Sequence, residues 1–266
     1  MTEPILPRAD ADGVATLTLN APDRLNALSD AMLAALQAAL DAVAADRSVR
    51  VVILRAAGMA FCAGHDLKEM QAARAAPDKG AARFADLFAR CADVMQAIPR
   101  LPQPVIAEVQ GVAAAAGCQL VASCDLAVAS ETARFGVNGV NIGLFCSTPM
   151  VALTRNVAPK TAFEMLTTGG FIDAARAREV GLVNRVVPPD ALAGETLALA
   201  RSIAAKLGPA VRIGKRTFYD QLGLPPADAY ELAGRVMVEN MLWRETDAGI
   251  SAFLGKGKPD KPAGGA

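Results

Sequence analysis

With 266 residues, 53% hydrophobic and 20% charged, the chain can build a substantial core and lacks the composition of a disordered protein. Lys+Arg equals Asp+Glu at 27 each, which argues against general nucleic-acid or anionic-membrane binding. Five cysteines, none in a C-x-x-C pair, and one histidine argue against a disulfide framework and a zinc site and favour reduced thiols in a cytoplasmic compartment.

Met1 to Gly13 carries Glu3, Asp10 and Asp12 without an apolar stretch, so no secretory signal is expected, and no apolar run reaches membrane-span length. Val14 to Asn20 alternates, as a half-buried strand does. After a turn at Ala21 to Asn26, Ser29 or Asp30 can cap a helix with Leu33, Leu36, Leu40 and Val43 on one stripe. Val51 to Leu54 is a continuous apolar run, expected of a strand covered on both faces. Ala56 to Lys68 reads as a loop and Ala75 to Gly80 as loose chain. Phe84, Leu87, Phe88, Cys91, Met95 and Ile98 mark an amphipathic helix that Pro99 should stop.

Strands follow at Val105 to Val109 and Leu126 to Ala129. Between them, Gly117 can start a helix behind the tiny-residue run Ala113 to Ala116. Helices are then expected over Ala162 to Thr167, after the cap Asp173, from the cap Asp190 to near Gly208, and over Asp228 to Trp243 and Asp247 to Leu254. Val183 to Val187 supplies one more strand. This order predicts an α/β core, residues 1–190, with a helical C-terminal region, residues 191–266.

Two loops combine exposed backbone with small residues: Ala63-Gly64-His65-Asp66 and Ala115-Ala116-Gly117-Cys118. Each can offer an N–H to a developing oxyanion, although close helix-on-strand packing is the commoner use of such a Gly/Ala run. His65 is the one imidazole, with general-base potential, although a structural role is the commoner use of a lone histidine. Cys118 and Cys146 read as buried inert thiols rather than nucleophiles, and Asp125 as a structural hydrogen-bonding group. No Walker loop or G-x-G-x-x-G stands out.

In order, the signature segments are Arg24-Leu25-Asn26-Ala27-Leu28, Phe61 to Lys68, Pro104 to Gly111, Gly117-Cys118-Gln119-Leu120, Cys124-Asp125, Asn141-Ile142-Gly143-Leu144 and Gly181-Leu182-Val183-Asn184. From about Val14 to Leu254 the chain resembles the crotonase (enoyl-CoA hydratase/isomerase) superfamily. Its Gly64 to Glu69, Ala115 to Asp125 and Gly143 to Pro149 stretches resemble the enoyl-CoA hydratase domain-containing protein 3 group and its bacterial relatives. The resemblance implies a spiral of ββα turns whose C-terminal helices assemble homotrimers, often paired into hexamers. It implies an acyl-CoA ligand, with coenzyme A entering as part of the substrate and no separate cofactor or metal. By that analogy the His65 and Ala116 N–H groups hold the thioester oxygen. Ala63, Asp66, Leu67, Lys68, Gly117, Asn141 and Cys146 line the ligand, Arg24 lies near the CoA phosphates, and Phe253 and Lys256 serve a neighbouring subunit's site.

The chain departs from the superfamily where water is activated. The two glutamates of typical hydratases align with Gln119 and Gly139, and neither can accept a proton. Loss of a general acid/base commonly lowers the rate by about 10² to 10⁴. The resemblance therefore implies acyl-CoA binding, while these two residues argue against ordinary hydration. The alternatives are a decarboxylase-like enzyme, a non-catalytic acyl-CoA-binding protein, or a slow hydratase in which Gln119 and Asp66 substitute. For the decarboxylase, the catalytic tyrosine of methylmalonyl-CoA decarboxylase aligns near Cys146.

Overall fold

The computed structural model describes residues 3–255. The first part of the chain gives strands β1 (Arg8–Ala11) and β2 (Val14–Leu19), helix α1 (Asp30–Ala45), strands β3 (Val51–Ala56) and β4 (Ala60–Cys62), then helices α2 (Leu67–Ala73) and α3 (Ala81–Arg100). Next come β5 (Val105–Val109), β6 (Val112–Ala114), α4 (Ala116–Ser123), β7 (Leu126–Ser130) and β8 (Arg134–Gly136). They are followed by α5 (Pro149–Leu153), α6 (Pro159–Thr168), β9 (Phe171–Asp173), α7 (Ala174–Glu179), β10 (Arg185–Val187) and α8 (Leu192–Ala204). The last helices are α9 (Gly208–Gln221), α10 (Pro226–Met241) and α11 (Arg244–Gly255).

A six-stranded sheet runs β1-β2-β3-β5-β7-β10 and a four-stranded sheet runs β4-β6-β8-β9. All neighbours are parallel except β1 with β2 and β8 with β9. Consecutive strand pairs divide between the sheets: β3, β5 and β7 enter the large one, and β4, β6 and β8 the small one. This alternation is the ββα spiral that the resemblance implies. The large sheet is buried on both faces. Val52 and Leu54 point into the main core, while Val51 and Ile53 join Ile106 and Val128 beneath Leu192 and Ala200 of α8.

Local chemistry explains most of the elements. The Ser29 hydroxyl accepts the Met32 N–H and caps α1, and Asp173 caps α7 through the Arg176 N–H. Leu87, Cys91, Val94, Met95 and Ile98 form the buried stripe of α3. All eight residues of α4 are buried, as are all five thiols. Asp125 receives the Val105 N–H at 2.6 Å and ties β5 to the chain entering β7, the structural role expected of it.

Several boundaries differ from the sequence reading. α3 carries Pro99 and ends one residue later, because the missing proline N–H removes a single bond in a terminal turn. The Ala56 to Lys68 stretch contains β4 and the start of α2, and Asp78 accepts the Gly80 and Ala82 N–H groups within the expected loose chain. Asp190 does not cap α8; Ala191 occupies the cap without a side-chain bond.

Two compact units are present, one ending at Lys206 and one beginning at Leu207. α8 therefore packs with the core. In the second unit, α9 to α11 leave Phe218, Tyr230, Met237, Leu242 and Phe253 exposed. Lys256 lies outside the described residues.

Candidate active site

Two short neighbouring strands frame the site. In β4 and β6, Ala60 lies opposite Val112 and Cys62 opposite Ala113. β4 leads through Ala63, Gly64, His65 and Asp66 into α2, and β6 leads through Ala115 into α4. A Cβ added to Gly64 would lie 3.0 Å from the Ala115 Cβ and 3.3 Å from the Ala116 nitrogen, so the two turns touch. At Gly117 a Cβ would come within 2.1 Å of the Cys62 carbonyl oxygen. Only glycine lets α4 begin this close to β4.

Ala115 caps α4 with φ 49° and ψ −116°, a backbone conformation that a residue with a Cβ rarely adopts. Its N–H donates to the Gly136 carbonyl at 2.8 Å, which fixes the turn. Among the described residues, neither the His65 N–H nor the Ala116 N–H has an acceptor. The Ala116 N–H opens α4, where the helix dipole adds positive partial charge.

The side chains around these donors are mostly engaged. Asp66 caps α2: one carboxylate oxygen accepts the Lys68 and Glu69 N–H groups at 2.9 and 3.1 Å, and the other pairs with Arg24. Arg24 also reaches Glu69 at 3.1 Å, and Glu69 accepts the Asp30 N–H at 2.9 Å. Burial alone would raise the Asp66 carboxyl, but the Glu69 N–H, the Arg24 guanidinium and the Lys68 N–H together hold it below its ordinary value. Asp66 is thus a bound structural anion, which removes it as a substitute acid or base. The His65 ring stacks edge-on against Phe88 with centroids 5.6 Å apart. Both of its ring nitrogens are buried without a hydrogen bond. Burial is the larger influence on the ring and lowers its pKa below the ordinary 6.5.

One turn along α4, Gln119 is only 5% exposed, and its Oε1 is buried with no partner. Gly139 is the buried residue of a 3-10 turn, Asn138–Ile142, that folds back on itself. The Gly139 N–H meets the Cys146 Sγ at 3.4 Å, and the Leu144 N–H donates to the Gly139 carbonyl at 3.0 Å. A Cβ at Gly139 would collide with the Leu144 oxygen at 2.2 Å and the Cys146 Sγ at 2.9 Å. Asn141 donates to the Gly169 carbonyl at 3.2 Å and pins the turn to the end of α6. Burial raises the Cys146 pKa and pushes Cys118 up to about 12, so both remain thiols.

Comparison with known proteins decides the lineage of this arrangement. Residues 9–261 match the enoyl-CoA hydratase/isomerase family. The chain belongs to that family. It is 48% identical to human mitochondrial enoyl-CoA hydratase domain-containing protein 3 over 248 residues, covering 93% of this chain and 80% of that protein. A crystal structure of an enoyl-CoA hydratase from Mycobacterium smegmatis superposes with a TM-score of 0.92 at 56% identity, covering 97% of this chain and 99% of that one. The crystal structure of the human domain-containing protein 3 gives 0.90 at 45% identity, covering 97% and 100%.

Of the residues singled out in the sequence, Ala63, His65, Ala116 and Gly117 gather at the two touching turns, with Gln119 one helical turn on. Leu67 and Lys68 are exposed on α2, and Phe253 lies on α11 in the other unit. The sequence reading placed Ala115 in a candidate loop without its left-handed φ, which has no compositional signal, and counted Phe88 as part of a helix stripe without its contact to the His65 ring. It also passed over the Asp66-x-x-Glu69 spacing, a legible sign of a helix start. Among the described residues no cluster of metal-binding side chains occurs, and no helix is long and apolar enough to cross a membrane.

Proposed function

We propose that this member of the enoyl-CoA hydratase/isomerase family binds an acyl-CoA thioester and stabilises its enolate with the His65 and Ala116 N–H groups. One observation carries the reading: two unpartnered N–H groups sit on turns that touch at Gly64, one of them opening a helix. A donor aimed at a developing oxyanion is commonly worth about 2.7–4 kcal/mol. Ordinary hydration of a 2-enoyl thioester also needs a group to take a proton from water. Gln119 cannot do so, Gly139 has no side chain, and Asp66 is held by its cap and Arg24. The reactions that fit are those in which the enolate forms without proton abstraction, decarboxylation foremost. Binding without turnover is the second reading, favoured by the same lack of a free acid.

The exposed apolar residues of α9 to α11 support assembly into a homotrimer or a pair of trimers, and the buried reduced thiols support a reducing, cytoplasm-like compartment. The primary test is calorimetric titration with butyryl-CoA beside a crotonyl-CoA hydration assay. We expect micromolar binding, weakened at least tenfold in Ala116→Val, and hydration at least 10²-fold slower than in an enzyme with both glutamates. Absence of butyryl-CoA binding overturns the acyl-CoA reading, and rapid hydration overturns the argument from the missing acids.

A further inference from the structure

The segment 21–28 encloses a polar side chain whose bonds are all made. Asn26 is 0% exposed, and its amide oxygen and both amide hydrogens are engaged. Its Oδ1 accepts the Ala21 N–H at 2.9 Å, and its Nδ2 donates to the Ala57 and Ala60 carbonyls, both at 2.8 Å. The amide thus ties the segment to itself and to the connection that carries β3 into β4. The two chains also pack directly, since a Cβ at Gly58 would stand 2.7 Å from the Pro22 Cβ. Asn26 has φ 53° and Leu25 before it φ 51°. Asparagine tolerates this left-handed region and leucine does not, so the segment needs the bonds of the amide to keep its shape.

The same segment grips the turn 63–66. The Ala63 N–H donates to the Leu25 carbonyl at 3.0 Å, and the Leu28 N–H donates to the Gly64 carbonyl at 2.8 Å. On the other side of His65, Arg24 pairs with Asp66. These contacts bracket His65 in the chain and leave its N–H open. We propose that Asn26 is the positioning residue of the oxyanion site: its amide fixes the segment 21–28, and that segment aims the His65 N–H. The inference rests on the acyl-CoA reading above. A backbone donor has no rotamer of its own, so its aim is set by the main chain around it, and productive geometry must hold to within about 0.5 Å.

The test compares butyryl-CoA with S-butyl-CoA, the thioether that has a CH₂ in place of the carbonyl, by calorimetry. The ratio of the two affinities reads the carbonyl alone, because the coenzyme and the alkyl chain are shared. Asn26→Gly allows the left-handed φ and removes all three bonds. Asn26→Asp keeps an acceptor for the Ala21 N–H and loses both donors. Gln110→Ala is the control: Gln110 donates to the Ala56, Gly58 and Ala60 carbonyls at 3.1 Å each and so pins the same connection without bonding the segment 21–28. We expect wild type to prefer butyryl-CoA about tenfold. Both Asn26 variants should lose that preference while still binding the thioether, and Gln110→Ala should keep it. An unchanged preference in the Asn26 variants, or the same loss in Gln110→Ala, overturns the positioning role and leaves the oxyanion site standing. Loss of thioether binding in both Asn26 variants marks a residue that serves the whole fold and overturns it as well. Equal wild-type affinities for the two compounds overturn the oxyanion reading itself, and failure of both to bind wild type overturns the acyl-CoA site; this proposal falls with either.

Discussion

The two sides of the site follow opposite rules. At the turns 63–66 and 115–117, backbone packs against backbone so closely that side chains are excluded and two N–H groups are left open. At the turn 138–146, the backbone closes on itself, a thiol takes up a main-chain N–H, and nothing is left to move a proton. The first arrangement is a matter of shape and tolerates almost no change. The second concerns which side chain is present, and here it is a glycine walled in by its own loop. A binding geometry can therefore persist in a chain whose proton-transfer groups are gone.

Four substitutions probe that contrast. The largest effect is expected from Gly117→Ala. Its Cβ would stand 2.1 Å from the Cys62 oxygen, so α4 must move off β4. We expect a loss of about 3 kcal/mol in urea denaturation together with the loss of butyryl-CoA binding. Unchanged stability would show that the turns are looser than their geometry implies.

The second probe restores carboxylates. Gln119→Glu is nearly isosteric, and burial should raise the new carboxyl toward the range of a general acid/base. We expect crotonyl-CoA hydration to rise by about 10²-fold over wild type. Adding Gly139→Glu should erase the gain and destabilise the fold by about 2 kcal/mol, because the Leu144 oxygen and Cys146 Sγ stand where its side chain must begin. A double variant more active than the single one would contradict the closed turn.

The smallest effect is expected from Asp66→Asn, about 1 kcal/mol at pH 7 through a weakened cap and ion pair. Its pH dependence gives the sharper reading. The folded Asp66 carboxyl lies below its ordinary value of 3.8, so its stabilisation is complete above that value and disappears as pH falls through the lower folded one. The wild type should lose its advantage over the variant across that acid window. A constant difference in acid-unfolding midpoints would mean that Asp66 acts through packing alone.

The large sheet and its long helices are legible in the sequence because each carries enough residues to show a pattern. Val51 to Leu54 is a continuous apolar run, and the Leu87 to Ile98 stripe repeats over three turns. β4, β6, β8 and β9 have three residues each, too few for any period, and they exist through their pairing across the spiral. Gly64 and Gly117 could be singled out as small residues behind strands, and the resemblance located His65, Ala116, Gln119 and Gly139. What stayed hidden depends on approach in space: Ala115 strained against Gly136, Asp66 tied to Arg24 across 42 positions, and Cys146 pressed on Gly139.

The placement of the cysteines makes the molecule its own partial clock. All five thiols are buried, and all lie before Lys206, so the C-terminal helices contain none. An alkylating reagent therefore records openings of the first unit, from α3 at Cys91 to the turn at Cys146, while unfolding within the last three helices leaves no label on them. Comparing the labelling rate with a global signal such as circular dichroism would separate unfolding of the C-terminal helices from loss of the site itself.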